Sequence, residues 1–269
     1  DWEISLGRGL QRYADRARFG IVSDSFNSFL TLSLIAIANA LIIEKLELNN
    51  SIYKYLVIFI FIANPVICNS LSYSYMSVNF GLAYLFCILS FACLKKEDNA
   101  KKAISRVLLA GIFIGISLAF YQAYISVTCI LFVVYALKIL LEEERIMVAF
   151  KYLFTCVGAI VWGGIIYLVI TNALLLRANI QMASYKGAAN ISLLSMIINL
   201  PNSLKQCYVE YANYFVSYKA MSNLEFIEIV LVLLLLVYVI AVILRFWKLL
   251  HCNIFRAFLF LFMLILVPV

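Results

Sequence analysis

The first eighteen residues combine carboxylates and arginines in a way that suits group transfer. Asp1 and Glu3 precede Arg8 and Arg12. A carboxylate beside a cationic patch stays ionised and can accept a proton from a hydroxyl nucleophile. An arginine fork can hold two phosphate oxygens at once. A second interpretation remains open, in which the two carboxylates only form ion pairs with Arg8 or Arg12.

One amphipathic helix is predicted to carry these arginines. Apolar residues follow helical spacing from Arg8 onward, and Arg8, Arg12 and Arg16 recur every four residues. We therefore expect a continuous surface helix with three guanidinium groups in a row. The row suits an anionic ligand or the phosphates of lipid headgroups, and the pattern leaves both open.

Polar and aromatic residues at the ends of apolar runs form a second set of candidates. They surround the face on which we place the arginines, and they could bind substrate or anchor helices at the membrane interface. They are Tyr73, Tyr75, Tyr121, Gln122 and Tyr124. Several amides inside the runs are costly in lipid and are predicted to face the bundle interior. They are Asn39, Asn64, Asn69, Asn79, Gln122 and Asn172.

The composition indicates which elements must position these residues. Of 269 residues, 65% are hydrophobic and 13% charged, and the mean hydropathy is +1.01. Lipid must therefore solvate much of the surface, and spanning segments in lipid are helices, because each must satisfy its own backbone. We predict an all-α, polytopic membrane helix bundle. The formal net charge is +7, and the basic residues lie between the apolar runs. This placement indicates contact with the membrane surface rather than with nucleic acid.

About eight apolar runs approach the roughly 20 residues that a spanning helix needs. They cover residues 23–43, 52–70, 74–94, 103–121, 123–141, 146–172, 225–244 and 257–269, the last of them incomplete. The junction at 120–123 is so tight that 103–121 and 123–141 could instead form a short hairpin. The chain begins at Asp1 and stops inside an apolar run, so we expect a fragment with a further span upstream.

The distribution of lysine and arginine predicts the orientation. Basic residues cluster in the connections around 95–106, 138–151 and 245–256, whereas those around Ser72 and Gln122 have none. The basic side is therefore predicted to be cytoplasmic. This divides the chain into a first external loop (1–22), spans with short loops (23–172), a long external loop (173–222) and C-terminal spans (223–269).

The long external loop is predicted to contain a helix. Tyr208, Tyr211, Tyr214 and Tyr218 recur at spacings of three, three and four, which places four rings on one helical face. Such a face suits the membrane interface, or a platform for sugar or lipid. Pro201 is predicted to break or to start this helix.

The cysteines do not indicate a metal centre. All seven are scattered, mostly within apolar runs, and no C-x-x-C pair or ligand spacing occurs. We predict no metal and no cofactor, since arginines can take the place of a divalent cation beside a phosphate.

Three short motifs resemble the glucosyl transferase II family of membrane glucosyltransferases. They are Asp1-Trp2 with Leu6-Gly7-Arg8, Asn64-Pro65 with Ser72-Tyr73-Ser74-Tyr75, and the segment from Leu118 to Ser126. The resemblance covers most of residues 1–130. Gly9 stands where the family commonly has a bulky residue or proline.

The resemblance implies a GT-C-like fold in the cytoplasmic (inner) membrane of a bacterium. It implies a polyprenyl-phosphate-linked sugar donor and a polysaccharide such as O-antigen, or a lipid-linked oligosaccharide, as acceptor. On the match, Asp1 is the base, Glu3 the reserve, and Arg8 and Arg12 contact the donor phosphate. Two alternatives remain: a polysaccharide polymerase or ligase, and a flippase or transporter of lipid-linked sugars.

Overall fold

The computed structural model describes residues 2–18, 23–62, 70–95, 99–142, 146–183 and 193–216, with isolated helical positions at 237, 240, 244, 259 and 262. Every regular element in these ranges is helical. In chain order they are α1 (Trp2–Ser5), α2 (Gln11–Ala17), α3 (Asp24–Lys45), α4 (Ser51–Ile62), α5 (Ser74–Cys93), α6 (Ala100–Phe120), a 3₁₀ turn (Gln122–Tyr124), α7 (Ile125–Glu142), α8 (Ile146–Ala178) and α9 (Leu193–Val216).

Five of the described helices are long and apolar enough to cross a membrane. They are α3, α5, α6, the 3₁₀ turn continued by α7, and α8. The predicted all-α membrane bundle is thereby confirmed. Of the predicted span 52–70, the part up to Ile62 is helical as α4, and 63–69 lies outside the described residues, so this span stays a prediction. Apart from the isolated positions, 225–244 and 257–269 also lie outside them, so the count of eight stays a prediction.

Local backbone geometry sets the ends of two spans. At the end of α3, the amides of Glu47 and Leu48 donate to carbonyls three and five residues earlier, and Glu47 has φ 54°. At the end of α8, Asn179 (φ 52°) and Ile180 repeat the pattern. Both ends are Schellman motifs, in which one left-handed residue satisfies the last carbonyls of a helix.

Two features of the later helices, the end of α8 and the position of Pro201, differ from the sequence prediction. The α8 helix continues to Ala178, six residues beyond the predicted span 146–172. Within the predicted external loop, α9 runs from Leu193 to Val216 and contains Pro201 in its interior, so the prediction that Pro201 breaks or starts the helix was wrong. A proline removes only one backbone donor, and the helix continues on both sides of it.

Buried polar side chains join the central spans. The Tyr84 hydroxyl of α5 donates to Asn39 Oδ1 of α3 at 2.9 Å, and the Ser117 hydroxyl of α6 donates to the Ala83 carbonyl of α5 at 2.8 Å. In an apolar medium such bonds help hold helices together because unpaired polar groups are costly. Asn39 and Asn79 are 1% exposed, as predicted, whereas Asn172 is exposed, so the prediction for that residue was wrong.

Helices α6 and α8 meet through small residues. A Cβ placed on Gly115 would lie 3.0 Å from the Gly163 carbonyl oxygen, and one on Gly163 would lie 3.0 Å from the Gly111 carbonyl oxygen. Glycine spaced by four residues lets two membrane helices approach this closely. The contact brings the second half of α8 against the end of α6.

Lys45, the last residue of α3, is buried. Its side chain is 7% exposed, its Nζ donates to the Leu94 carbonyl, and it lies 4.4 Å from the centre of the Tyr135 ring. One ammonium group therefore satisfies the carbonyl that follows α5 and contacts α7 by a cation–π interaction.

We expect Lys45→Met to lower the free energy of unfolding in detergent by about 1–3 kcal/mol, because it leaves the Leu94 carbonyl buried without its donor. Thermal unfolding of the purified protein measures the change. Lys101→Met is the matched control, since Lys101 is exposed. Equal stability of the two variants would contradict this account of Lys45.

The chain forms two compact units. One contains residues 1–136 and 147–189, and the other contains 137–146 and 190–269. All residues discussed below as a candidate site belong to the first unit. The second contains α9, an amphipathic helix whose Ile198, Leu200 and Val209 are exposed.

Candidate functional site

The segment that precedes the first span is two short helices with a turn between them. α1 ends at Ser5, α2 begins at Gln11, and Gly7 in the turn has φ 76°. The prediction of one helix from Arg8 onward was therefore wrong. Left-handed backbone at Gly7, which glycine adopts without strain, ends α1, and α2 does not begin until Gln11. Arg8 thus lies in the turn and does not share a helix with Arg12 and Arg16.

Backbone and amide bonds dock this turn onto the end of α6. The Leu10 amide donates to the Ala119 carbonyl at 3.2 Å, and Gln11 Nε2 donates to the Phe120 carbonyl at 3.0 Å. Gln11 is 1% exposed. These carbonyls belong to the last turn of a helix, where no intrahelical donor remains for them. The N-terminal segment thus caps α6 and is fixed at that end of the bundle.

A second set of bonds holds the turn from the side. Gln122 Nε2 donates to the Leu6 carbonyl at 3.0 Å and lies 3.1 Å from the Tyr167 hydroxyl. A Cβ on Gly7 would approach the Tyr167 hydroxyl to 2.3 Å, so side chains fill the space beside this residue. The Ala183 amide, beyond the end of α8, donates to the Ser5 carbonyl at 2.9 Å.

Arg8 lies between a carboxylate and an aromatic ring. Its Nη1 is 4.0 Å from Glu3 Oε2, and its Cζ is 4.6 Å from the centre of the Tyr121 ring. The side chain is 23% exposed, and its buried Nε has no hydrogen-bond partner within the described part of the chain. A distance of 4.0 Å is an ion pair but not a hydrogen bond. The guanidinium group thus keeps donors for a further anion.

A polar network secures the far end of α2. Arg18 pairs with Asp15 and donates to Asn27 Oδ1 at 2.8 Å, and Asn79 Nδ2 donates to Asp15 Oδ1 at 3.2 Å. Asn27 Nδ2 in turn donates to the Ser74 carbonyl at 3.1 Å. The network connects α2 with the first turns of α3 and α5. Arg18 is therefore committed to structure, in contrast to Arg8.

The structure brings together only some of the predicted site residues. Glu3, Arg8, Tyr121 and Gln122 form one cluster. Tyr124 is buried beneath it at 9% exposure, with its ring centre 5.9 Å from that of Tyr121.

The remaining predicted residues are exposed or lie outside the described residues. Arg12 is exposed on α2, and Tyr73 and Tyr75 are 49% and 58% exposed at the start of α5. Asp1 lies outside the described residues, directly before α1.

Tyr167 is a site residue that the sequence prediction missed. It follows Gly163 by four residues and so shares its face of α8, the face that packs on α6. A polar side chain on a glycine-lined face of an apolar span was the available signal. Asn27 was missed in the same way, as an amide in the first turn of a span.

The arrangement can bind an anion and hold it in place. The guanidinium group lies on a ring face and beside a carboxylate, which makes it a cationic site. The turn that carries it is fixed to the end of α6, to the 3₁₀ turn and to the segment that follows α8. The carboxylate of Glu3 can offset its charge until an anion arrives. The cluster lies at the end of the bundle opposite Lys45, where the first-unit spans carry exposed tyrosines rather than lysines.

Comparison with known proteins gives one match. The family model described as glucosyl transferase GtrII matches residues 4–269. No curated protein and no solved structure matches the chain significantly. The match begins one residue after Glu3 and includes the turn that carries Arg8 and all the described spans.

Proposed function

The chain belongs to the glucosyl transferase GtrII family, and we propose that it moves a glucosyl residue from a polyprenyl-phosphate donor to a cell-surface polysaccharide such as O-antigen. The family and the spanning helices make it a membrane glucosyltransferase. The donor, the acceptor and the outward-facing site in a bacterial inner membrane are the finer parts of the proposal.

The placement of Arg8 is the observation that carries the proposed donor. A polyprenyl-phosphate sugar has its single phosphate at the membrane surface and its chain in the bilayer. Arg8 is fixed at the end of a helix bundle, partly exposed, and has hydrogen-bond donors to spare. An arginine at the end of the spanning helices can meet a lipid-borne phosphate while its ion pair with Glu3 opens or rearranges.

The proposed reaction is a single displacement. An acceptor hydroxyl attacks the anomeric carbon and loses its proton to the carboxylate of Asp1. The bond between that carbon and the phosphate oxygen breaks, and polyprenyl phosphate leaves with the electron pair. Arg8 stabilises the charge that grows on the leaving oxygen. Configuration at the anomeric carbon inverts, and no metal is required for charge balance.

The outward orientation rests on the charges of the connections. The cluster lies at the end where α3 and α5 begin and α6 and α8 end. At the other end, Lys95 lies in the connection after α5 and Lys101 in the first turn of α6. Lysine and arginine concentrate on the cytoplasmic side of membrane proteins. On this rule the Arg8 cluster faces outward, toward the surface polysaccharide.

The test uses the full-length protein in inverted and right-side-out vesicles with labelled polyprenyl-phosphate-glucose. We expect label to enter added polysaccharide in right-side-out vesicles, whose exposed surface is the outer face of the membrane. Intact inverted vesicles should not label it. A nucleotide-linked glucose should not replace the donor. A protein that moves the lipid across the bilayer without consuming it would be a flippase, and one that joins preformed repeats without using glucose donor would be a polymerase or ligase. Either result would overturn the proposal.

A further inference from the structure

The Gly7 turn is held by the side chain of Gln122, whose hydrogen bonds in the described part of the chain go to Leu6 and Tyr167 and not to Arg8. Because the Leu6 carbonyl can only accept, Gln122 must present its amide nitrogen there, which fixes the orientation of the whole carboxamide. The second N–H of the same nitrogen then points to the Tyr167 hydroxyl at 3.1 Å, which accepts it. Tyr167 thereby fixes Gln122, and Gln122 fixes the turn.

Space beside Gly7 is restricted by the same two groups. A Cβ on Gly7 would lie 2.3 Å from the Tyr167 hydroxyl and 3.0 Å from Gln122 Nε2. The left-handed backbone of Gly7 ends α1 directly before Arg8. The hydroxyl therefore lies against the residue whose dihedral angles set the direction of the Arg8 side chain.

The support of Arg8 from its other side uses the adjacent residue of the same segment. Tyr121, whose ring contacts the guanidinium group, directly precedes Gln122, and the Tyr121 amide is fixed by the Ser117 carbonyl at 2.8 Å. One short segment after α6 thus supplies the ring beside the Arg8 guanidinium group and the amide that holds the Leu6 carbonyl, two residues before Arg8. Only the amide depends on α8, through Tyr167.

We propose that Tyr167 is a positioning residue for the donor phosphate, acting through Gln122 and the Gly7 turn on Arg8. The inference rests on the proposed function. It assigns to α8 a role in donor binding that neither the family match nor the sequence pattern assigns. Tyr167 does not touch the phosphate; its hydroxyl keeps Arg8 in the orientation that binds it.

The test is Tyr167→Phe in the full-length protein, which removes the hydroxyl and keeps the ring. We expect the donor KM and the dissociation constant of polyprenyl phosphate to rise about 3- to 10-fold, as for loss of one hydrogen bond. The acceptor KM and the unfolding temperature should change little. A variant that only folds less well would lower the amount of active enzyme and leave the donor KM unchanged.

Tyr152→Phe is the matched control on the same helix. Tyr152 is buried, 3% exposed, and lies about four turns from Tyr167 toward the other end of α8, away from the Gly7 turn. We expect this control to bind the donor as the wild type does. If Tyr152→Phe raises the donor KM as much as Tyr167→Phe, the inference is overturned.

A double-mutant cycle with Arg8→Lys tests the path of action. If Tyr167 acts through Arg8, Tyr167→Phe should change polyprenyl-phosphate binding less than about twofold in the Arg8→Lys background, because coupled residues are not additive. The same factor in both backgrounds would overturn the inference while leaving the proposed function intact. A wild-type protein that neither consumes nor binds the donor would overturn the proposed function, and this inference with it.

Discussion

Arg8→Ala is expected to lower kcat/KM for the polyprenyl-phosphate donor by about 10²- to 10³-fold, the usual cost of one preorganised group that stabilises transition-state charge. The guanidinium group is the only described cation that combines partial exposure, an aromatic support and an unpaired buried nitrogen. Its removal also leaves Glu3 with a carboxylate facing the site, which repels the phosphate. The measurement is steady-state transfer of labelled glucose by the purified full-length protein.

Arg8→Lys should recover part of this loss. Lysine keeps the charge but has no planar fork for two phosphate oxygens and stacks less well on Tyr121. Arg16→Ala is the matched control, since Arg16 is exposed on α2, outside the turn. Equal losses in Arg8→Ala and Arg16→Ala would show that the whole basic surface binds lipid phosphates and that Arg8 has no special role.

The spans could be predicted from the sequence because their signal is local. An apolar run of about 20 residues has few solutions in lipid, and the runs at 23–43, 74–94 and 123–141 agree with α3, α5 and α7 to within a few residues. Charge asymmetry between connections is also local. Apolar runs and charge asymmetry can both be recognised without knowing which helices pack together.

The architecture of the site was not predictable from the same pattern. Periodicity placed Arg8 on a helix with Arg12, but residues 6–10 form a turn, with left-handed backbone at Gly7, and α2 begins only at Gln11. Gly7 adopts that backbone where Gln122 and Tyr167 pack against it, 115 and 160 residues further along the chain. Contacts between residues so distant in sequence leave no trace in local spacing.

The small residue Gly9 is explained by the close packing of α8 against the turn. The resemblance described above leads us to expect a bulky residue or proline at position 9, where this chain has Gly9. A Cβ there would lie 2.3 Å from Leu174 Cδ1 of α8. The small residue therefore accompanies a close approach of α8 to the turn, the approach that also places Tyr167 beside Gly7.

Asp1→Asn is expected to lower kcat by about 10²- to 10⁴-fold, the range over which a positioned general base acts. The resemblance gives this role to Asp1 with Glu3 as the reserve, and the structure adds a reason for that order. Glu3 already forms an ion pair with Arg8, and its Oε2 is buried. A carboxylate that neutralises the phosphate-binding arginine is poorly placed to take a proton from the acceptor on the opposite face of the sugar.

Glu3→Gln should therefore act differently from Asp1→Asn. Because Glu3→Gln removes the ion pair with Arg8, we expect the dissociation constant of the donor to change by about tenfold or less. Most of kcat should be retained. Asp24→Asn is the control for loss of one carboxylate, since Asp24 is exposed in the first turn of α3. Should Glu3→Gln abolish turnover while Asp1→Asn preserves it, Glu3 is the base, and its pairing with Arg8 in this structure is the resting arrangement that donor binding must break.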